Sequence, residues 1–511
     1  MDKKKSILNV GISIVSRVVL LFVAIVVRRL LIQYIGNDVN GLNSLFTDII
    51  GMLAVAELGV GRAIVYSMYS PIVNGDKKKL AGLFNLYKKL YQIIGAVIFI
   101  AGLLVMPFLP VFINDYETIN VNVYITFLLT LINVVLSYLY SAKTSLIEAH
   151  KDNYITTGIL TISGLIRDGL QIAVILIWKS FPIYLICGIM GTLFAWGLTE
   201  VVVHRRYLGI IKSREVVDKE TKSEIVQNAK AMVMHKIGTI LVNSVDSLII
   251  SSFVGVTVLG KYSNYNYIAV SMVGIITLFF TPLTSTVGHL CAQGDTKRTK
   301  EYFDLFYYLN YVLGVIFFLG YYAVIDNVVT LLFGPGLDVP HSIAFIITLN
   351  RFIQYMRNAA LLFRNASGTF YNDRWKPIAE GAANLVLSLV FVNVFPEGLE
   401  IVGVIIATII TNLLICDTVE PYVIFTNVFG IPPKKFILKN IMFIGLFVMA
   451  LLGMFFLIKD TSNAAMGVII NGCISIGVSI GLICLTAFID RPFRSTIVAV
   501  GRNVIRSFAK K

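Results

Sequence analysis

Apolar residues along this chain run in stretches of helical length, broken by glycine, proline, asparagine and charge. Each stretch is long enough for an α-helix that crosses a bilayer, which takes about 20 residues. The pattern predicts spans near 10–35, 42–70, 84–106, 118–142, 154–178 and 182–203. A second set follows near 229–254, 262–290, 302–325, 341–364, 375–395, 401–426, 436–458 and 464–489. The fold class expected is therefore an all-α polytopic membrane protein with fourteen transmembrane helices.

Composition narrows the function classes. Of 511 residues, 57% are hydrophobic and 14% charged, against about 25% charged in soluble proteins. Spans and short connections use up the chain, leaving no sizeable soluble domain and excluding most soluble enzymes. A net charge of +14 would suggest nucleic acid in a soluble protein, but here it reads as the excess of Lys and Arg in cytoplasmic loops, with no nucleic-acid partner. Placing Lys3, Lys4 and Lys5 inside puts Lys77 to Lys79, Lys143, Lys151, the stretch from Arg205 to Lys222, Lys297 to Lys300, Arg374, Lys376, Lys434, Lys435 and the C-terminal tail inside too. Only Lys179, Lys261 and Lys459 fall outside. This asymmetry predicts a multi-pass membrane protein with both termini cytoplasmic. The first apolar stretch carries Arg17, Arg28 and Arg29 and lacks a cleavage site, so it reads as a retained span. Cys187, Cys291, Cys416, Cys473 and Cys484 show no metal-ligand spacing, and the five histidines form no metal motif. No cofactor is expected beyond a coupling ion, Na⁺ or H⁺.

Sliding the chain by 219 positions brings Gly36, Gly41, Gly75, Asp76, Lys78, Phe84, Gly95 and Phe99 onto Gly255, Gly260, Gly294, Asp295, Lys297, Phe303, Gly314 and Phe318. The repeated unit holds six spans, an even number, so its two copies would share orientation about a pseudo-two-fold axis along the membrane normal. The domains expected are a six-helix bundle over 1–203, a cytoplasmic linker over 204–228, a second six-helix bundle over 229–430, and two additional helices with a basic tail over 431–511. The linker reads as a solvated or surface-lying amphipathic connector. Two like bundles imply a central cavity opened alternately to either side.

The run Gln33-Tyr34-Ile35-Gly36-Asn37-Asp38-Val39-Asn40-Gly41-Leu42, then Glu57-Leu58-Gly59-Val60-Gly61 and Pro71-Ile72-Val73-Asn74-Gly75-Asp76, resembles the opening of the polysaccharide transporter family. These are Wzx-type flippases of lipid-linked oligosaccharides, in the superfamily that also holds the MATE drug exporters and the lipid II flippase. The resemblance implies a MATE-like fold and transfer of undecaprenyl-diphosphate-linked repeat units to the outer leaflet for surface polysaccharide synthesis. It also implies membrane lipids, a polysaccharide polymerase and glycosyltransferases as partners.

An ionisable residue near the bilayer centre costs about 2.5–3.5 kcal/mol on insertion scales, so each needs a cavity, a partner or a route to the interface. Seven arginines fall in spans: Arg17, Arg28, Arg29, Arg62, Arg167, Arg351 and Arg357. Arg17 and Arg28 return to within about 20° of one helix face, ~16 Å apart. Arg17, Arg62 and Arg357 lie at similar depth from the cytoplasmic side. Guanidinium groups take phosphate bidentately, so these three, with Arg351 and Arg28, are the candidate diphosphate cage. The alternatives are snorkelling for Arg28 and Arg29, and a bundle partner for Arg62, though Asp48 and Glu57 are poorly placed on its helix. Asp246, Glu380, Asn384, Thr408 and Asn412 offer hard oxygen ligands. The resemblance implies a coupling-ion site, for Na⁺ or H⁺, on Asp246, Glu380, Asn384 and Thr408. Arg167 and Asp168 read as pairing with neighbouring helices.

Organic-cation export in the MATE manner is the nearest rival function, but it calls for an acidic or aromatic cavity where this chain places arginines. A membrane-bound polysaccharide polymerase would need acid, base or metal groups in a large outer loop. The longest outer stretch, Asp326 to Pro340, carries only two acids, so no enzyme is expected. The last two spans carry a single charged residue, Lys439 near the start of the thirteenth, and the fourteenth carries Gly467, Gly472, Gly477 and Gly481. Together they are expected to form an apolar groove for a polyprenyl tail, with dimerisation through the glycine face as the alternative.

Overall fold

Helix follows helix along the chain because a bilayer leaves backbone groups no outside partner, and the helix satisfies them within one segment. The computed structural model describes residues 3–54, 67–114, 116–218, 222, 244–280, 283–369, 372–461 and 463–509, with no strand among them. The first helices are α1 (Lys3–Tyr34), α2 (Asn37–Leu53), α3 (Lys77–Val105), α4 (Val123–Ala149), α5 (Asn153–Ile177) and α6 (Phe181–Ile211). Beyond a short apolar helix, Ser244–Val254, come α7 (Val256–Phe280), α8 (Leu283–Ala292), α9 (Thr296–Phe333), α10 (His341–Met356) and α11 (Asn358–Ser367). The chain continues with α12 (Lys376–Val394), α13 (Glu400–Thr411), α14 (Asp417–Asn427), α15 (Lys434–Leu457), α16 (Ala464–Ile489) and α17 (Arg491–Ala509).

Ten helical stretches among the described residues are long and apolar enough to cross a membrane. They match ten of the fourteen expected spans. Of the other four, 42–70, 229–254 and 262–290 fall partly outside the described residues, and 341–364 is broken at Arg357 into α10 and α11. Span 9, expected to end at 325, continues to Phe333, taking up much of the expected outer loop.

The chain forms two compact units, Met1–Gly260 and Lys261–Lys511. The first unit reaches past the linker because 244–260 is held by it. Asn114 N donates to Ser251 O at 2.9 Å and Asn114 Nδ2 to Phe253 O at 3.2 Å. Asn37 Nδ2 donates to Thr257 O at 2.9 Å, and Asn40 Nδ2 to Gly260 O at 3.3 Å. The contact is reciprocal: a Cβ on Gly41 would lie 2.0 Å from Val256 O, and one on Gly260 would lie 2.4 Å from Asn37 O. Asn37 and Val256, like Gly41 and Gly260, are 219 positions apart, so corresponding helix starts cross each other at glycine, with the backbone and the Asn37 side chain between them. Positions paired by that shift also share local conformation. Gly36 and Gly255 share φ of 137° and 125°, and Gly75 and Gly294 share 69° and 72°, values that favour glycine. Asp76 caps Lys79 N at 2.9 Å, and Asp295 caps Arg298 N at 3.0 Å.

Within the first unit α1 packs on α5, and α4 on α3 and α6. The linker begins against α3, where Asn85 Nδ2 donates to Ser213 O at 2.8 Å and Glu215 O at 3.0 Å. Most of its remainder lies outside the described residues. In the second unit α9 packs along α16. Small residues let neighbouring helices approach: Gly467 of α16 sits under Asn327 of α9, and Gly314 of α9 sits under Phe352 and Tyr355 of α10.

Candidate functional site

Two spans of the second unit break at one place. α10 stops at Met356 and α11 starts at Asn358, leaving Arg357 at the corner. The span holding α13 and α14 is interrupted by a π-helical turn, Asn412–Cys416. Pro421 follows in α14 and cannot donate to the carbonyl of Asp417. Such breaks are tolerated at membrane depth where protein groups satisfy the freed backbone, and they recur at transporter binding sites.

Charge fills the corner. Arg357 Nη2 donates to Glu420 Oε1 at 2.6 Å and Nε to Oε2 at 3.2 Å, a two-pronged pair. Its Nη1 reaches Glu380 Oε1 at 3.4 Å and donates to Asn412 Oδ1. Lys376 Nζ lies 2.6 Å from Glu420 Oε1 and 2.8 Å from Glu380 Oε2. These side chains are 13%, 4%, 5% and 1% exposed for Arg357, Lys376, Glu380 and Glu420. Two cations thus close on two carboxylates out of solvent. The network extends to Asn384, whose Nδ2 donates to Thr408 Oγ1 at 2.8 Å, and Asn412 Nδ2 donates to Thr408 O at 2.8 Å.

This arrangement redraws two expectations. Arg357 was read as one wall of a phosphate cage and Glu380 as part of a separate ion site, yet one cluster holds both. The Arg357 guanidinium is committed to Glu420, Glu380 and Asn412, so a phosphate would have to compete with carboxylates already in place. Both oxygens of Glu380 face protein cations, so a metal ion there would have to displace an ammonium group. Lys376 was read as a loop cation. The chain length between its partners hid this role: Glu420 lies 44 residues from Lys376 and 63 from Arg357. The available clue was spacing, since Lys376 and Glu380 are i,i+4 and Asp417 and Glu420 are i,i+3.

The other candidates are dispersed. Arg351 Nη1 donates to Gln354 Oε1 at 2.6 Å one turn before Arg357. In the first unit Arg17 is exposed on α1 and Arg28 is half-buried, within electrostatic reach of Tyr184. Asp246 is buried in the first unit, whereas Glu380, Asn384 and Thr408 belong to the second. Arg62 and its candidate partner Glu57 lie outside the described residues. Arg167 and Asp168 pair with each other, Nε to Oδ1 at 2.7 Å, and Gly191 on α6 leaves room for the Arg167 stem.

A second feature of the Lys261–Lys511 unit is an apolar groove of about 380 Å³ between α7, α9 and α16, lined by Met272, Phe317, Gly320, Tyr321, Gly472 and Ser475 among others. Of the expected groove-forming spans, the fourteenth contributes, but its partners are α7 and α9 in place of the thirteenth. Gly472 faces the groove, whereas Gly477 and Gly481 are exposed with open space where a Cβ would stand.

This layout has solved counterparts. The lipid II flippase MurJ, in an inward closed conformation, superposes with a TM-score of 0.64 over 94% of this chain and 99% of its own, at 14% identity. The chain has the fold of that flippase. An inward-facing MATE family multidrug resistance transporter of the MOP superfamily matches with a TM-score of 0.52, 13% identity, and 84% of this chain against 94% of its own. The Vibrio cholerae MATE transporter VcmN in its bent form matches at 0.50 and 13% identity, over 86% of this chain and all of its own. No protein-family model matches the sequence. No curated protein matches it either. The multi-pass, all-helical MOP-type fold is thus shared at an identity where only the fold is conveyed.

Proposed function

We propose that this protein is a flippase of the bacterial plasma membrane that carries undecaprenyl-diphosphate-linked oligosaccharide units to the outer leaflet by alternating access. The observation that carries this reading is the likeness to the lipid II flippase over 94% of the chain. The apolar groove beside α16 has the chemistry to hold a polyprenyl tail that cannot enter a charged cavity. Arg17 and Arg28, one face of α1, are proposed to meet the diphosphate, with Arg351 and Arg62 as further contacts, and Arg357 is proposed to shape the site through its cluster. The protein acts as a carrier, not an enzyme, in this reading, and its gradient is supplied by an ion. Multidrug export is the second reading; the MATE likeness favours it, but covers 84% of the chain where the flippase covers 94%.

The test is export of surface polysaccharide by cells whose own flippase is removed. Arg17→Ala should abolish export with normal amounts of protein in the membrane, whereas Lys88→Ala, at an exposed position on α3, should export as wild type. Full export by Arg17→Ala would overturn the phosphate role. Drug resistance conferred without any polysaccharide export would overturn the flippase reading.

A further inference from the structure

Charge in the cluster leaves one group over. Arg357 and Lys376 balance Glu380 and Glu420 one for one. Asp417, three residues before Glu420 on neighbouring positions of one helix face, adds a third carboxyl. It is 7% exposed. It shares a hydrogen bond with the Asn440 side chain, and Asn440 Oδ1 accepts from Tyr307 Oη at 2.9 Å. Asp417 Oδ2 is buried with no hydrogen-bond partner among the described residues.

The cations on the helices around α14 are otherwise engaged or exposed. From α11 comes Arg364, closed on Asp373 at 2.6 Å, and from α9 Lys300, closed on Asp304 at 2.5 Å. From α15 come Lys439, closed on Asp490 at 2.9 Å, and Lys434 and Lys435, which are exposed. From α10 and α12 come only Arg357 and Lys376, shared by the two glutamates, and Arg351, bonded to Gln354. Cys416 and Tyr307, a thiol and a phenol, keep their protons at neutral pH in water. An ionised Asp417 would leave the buried cluster with an uncompensated negative charge, which proteins relieve by neutralising the group.

We infer that Asp417 is a proton-binding site, a carboxyl that takes up and releases one proton at the break between the π turn and α14. A proton fits better than a metal cation. Hard cations want several oxygen ligands, and here one carboxylate oxygen faces an amide while two protein cations stand close by. Protonated, the carboxyl leaves the four-membered cluster balanced. Deprotonated, it competes with Glu380 for Arg357, whose contact with Glu380 at 3.4 Å is the longest in the cluster. Loss of the proton therefore offers a way to loosen the corner between α10 and α11. The inference stands on the cluster and does not need the substrate proposed above.

Infrared spectroscopy of the purified full chain in lipid nanodiscs, without substrate, tests it. A protonated-carboxyl C=O band is expected that shifts in D₂O, fades as pH rises, and is missing from Asp417→Asn. Asn440→Ala, which removes the hydrogen-bond partner, should move the frequency of that band without abolishing it. A wild-type spectrum retained in Asp417→Asn would overturn the assignment. If Asp417→Asn does not fold, an unmoved band in Asn440→Ala overturns it instead. A band erased by Na⁺ at constant pH would overturn the proton in favour of a metal ion. Because none of these measurements involves transport, a failure here is separable from a failure of the flippase reading.

Discussion

Removing a carboxylate and a cation together from the Arg357 cluster should cost less than the two single removals added up. Glu420 receives Arg357 through two nitrogens, at 2.6 and 3.2 Å, and Lys376 at 2.6 Å, with its side chain 1% exposed. Glu420→Gln keeps the volume but leaves two cations facing Glu380 alone, and breaking a buried pair from one side costs about 3–5 kcal/mol. Lys376→Met alone makes the opposite error, leaving two carboxylates for Arg357. The double variant restores one cation to one carboxylate. Its second substitution should therefore be cheaper than in the wild type, by about 1–3 kcal/mol of coupling. Denaturant unfolding of the four proteins in one detergent, followed by tryptophan fluorescence, measures that term. Effects that simply add, within about 0.5 kcal/mol, would show that the 2.6–2.8 Å contacts do not share charge and would refute the charge-balance reasoning.

Two further outcomes follow from close packing. Gly41→Ala or Gly260→Ala should abolish recovery of monodisperse protein, since the added carbon would stand 2.0 or 2.4 Å from a backbone oxygen, whereas Gly51→Ala, with nothing within 4 Å, should behave as wild type on size-exclusion chromatography. Gly472→Leu should fill the groove beside α16 and slow transfer of long-chain lipid substrates several-fold in proteoliposomes, while Gly477→Leu, on the exposed face, should leave the rate unchanged. Equal effects from the two would argue that the groove holds no tail.

Spans were legible because lipid demands long apolar stretches and water demands their interruption, a contrast written into composition alone. The glycines paired by the 219-residue shift were legible for a similar reason: Gly36 and Gly255 sit in backbone geometry that other residues resist. Partners of the buried charges were not legible. Depth along a helix follows from counting residues, and by depth Arg357 resembled Arg17. Arg17 is exposed, yet Arg357 is enclosed by Glu420 and Lys376, a difference that depends on which faces of three distant spans turn toward one another. Span 14 similarly showed its glycines but not which of them met α9.

The π turn at Asn412–Cys416 has a consequence for length rather than for chemistry. An α-helix turns about 100° per residue, and a π turn absorbs one extra residue within a single turn. Were the same residues wound as regular α-helix throughout, with no side chain of the cluster changed, Asp417 and Glu420 would swing about a quarter of a circle away from Arg357. The meeting of the cluster is therefore encoded as a phase. The residues between Thr408 and Glu420 act like a gear train that meshes only because one tooth is taken up at the π turn.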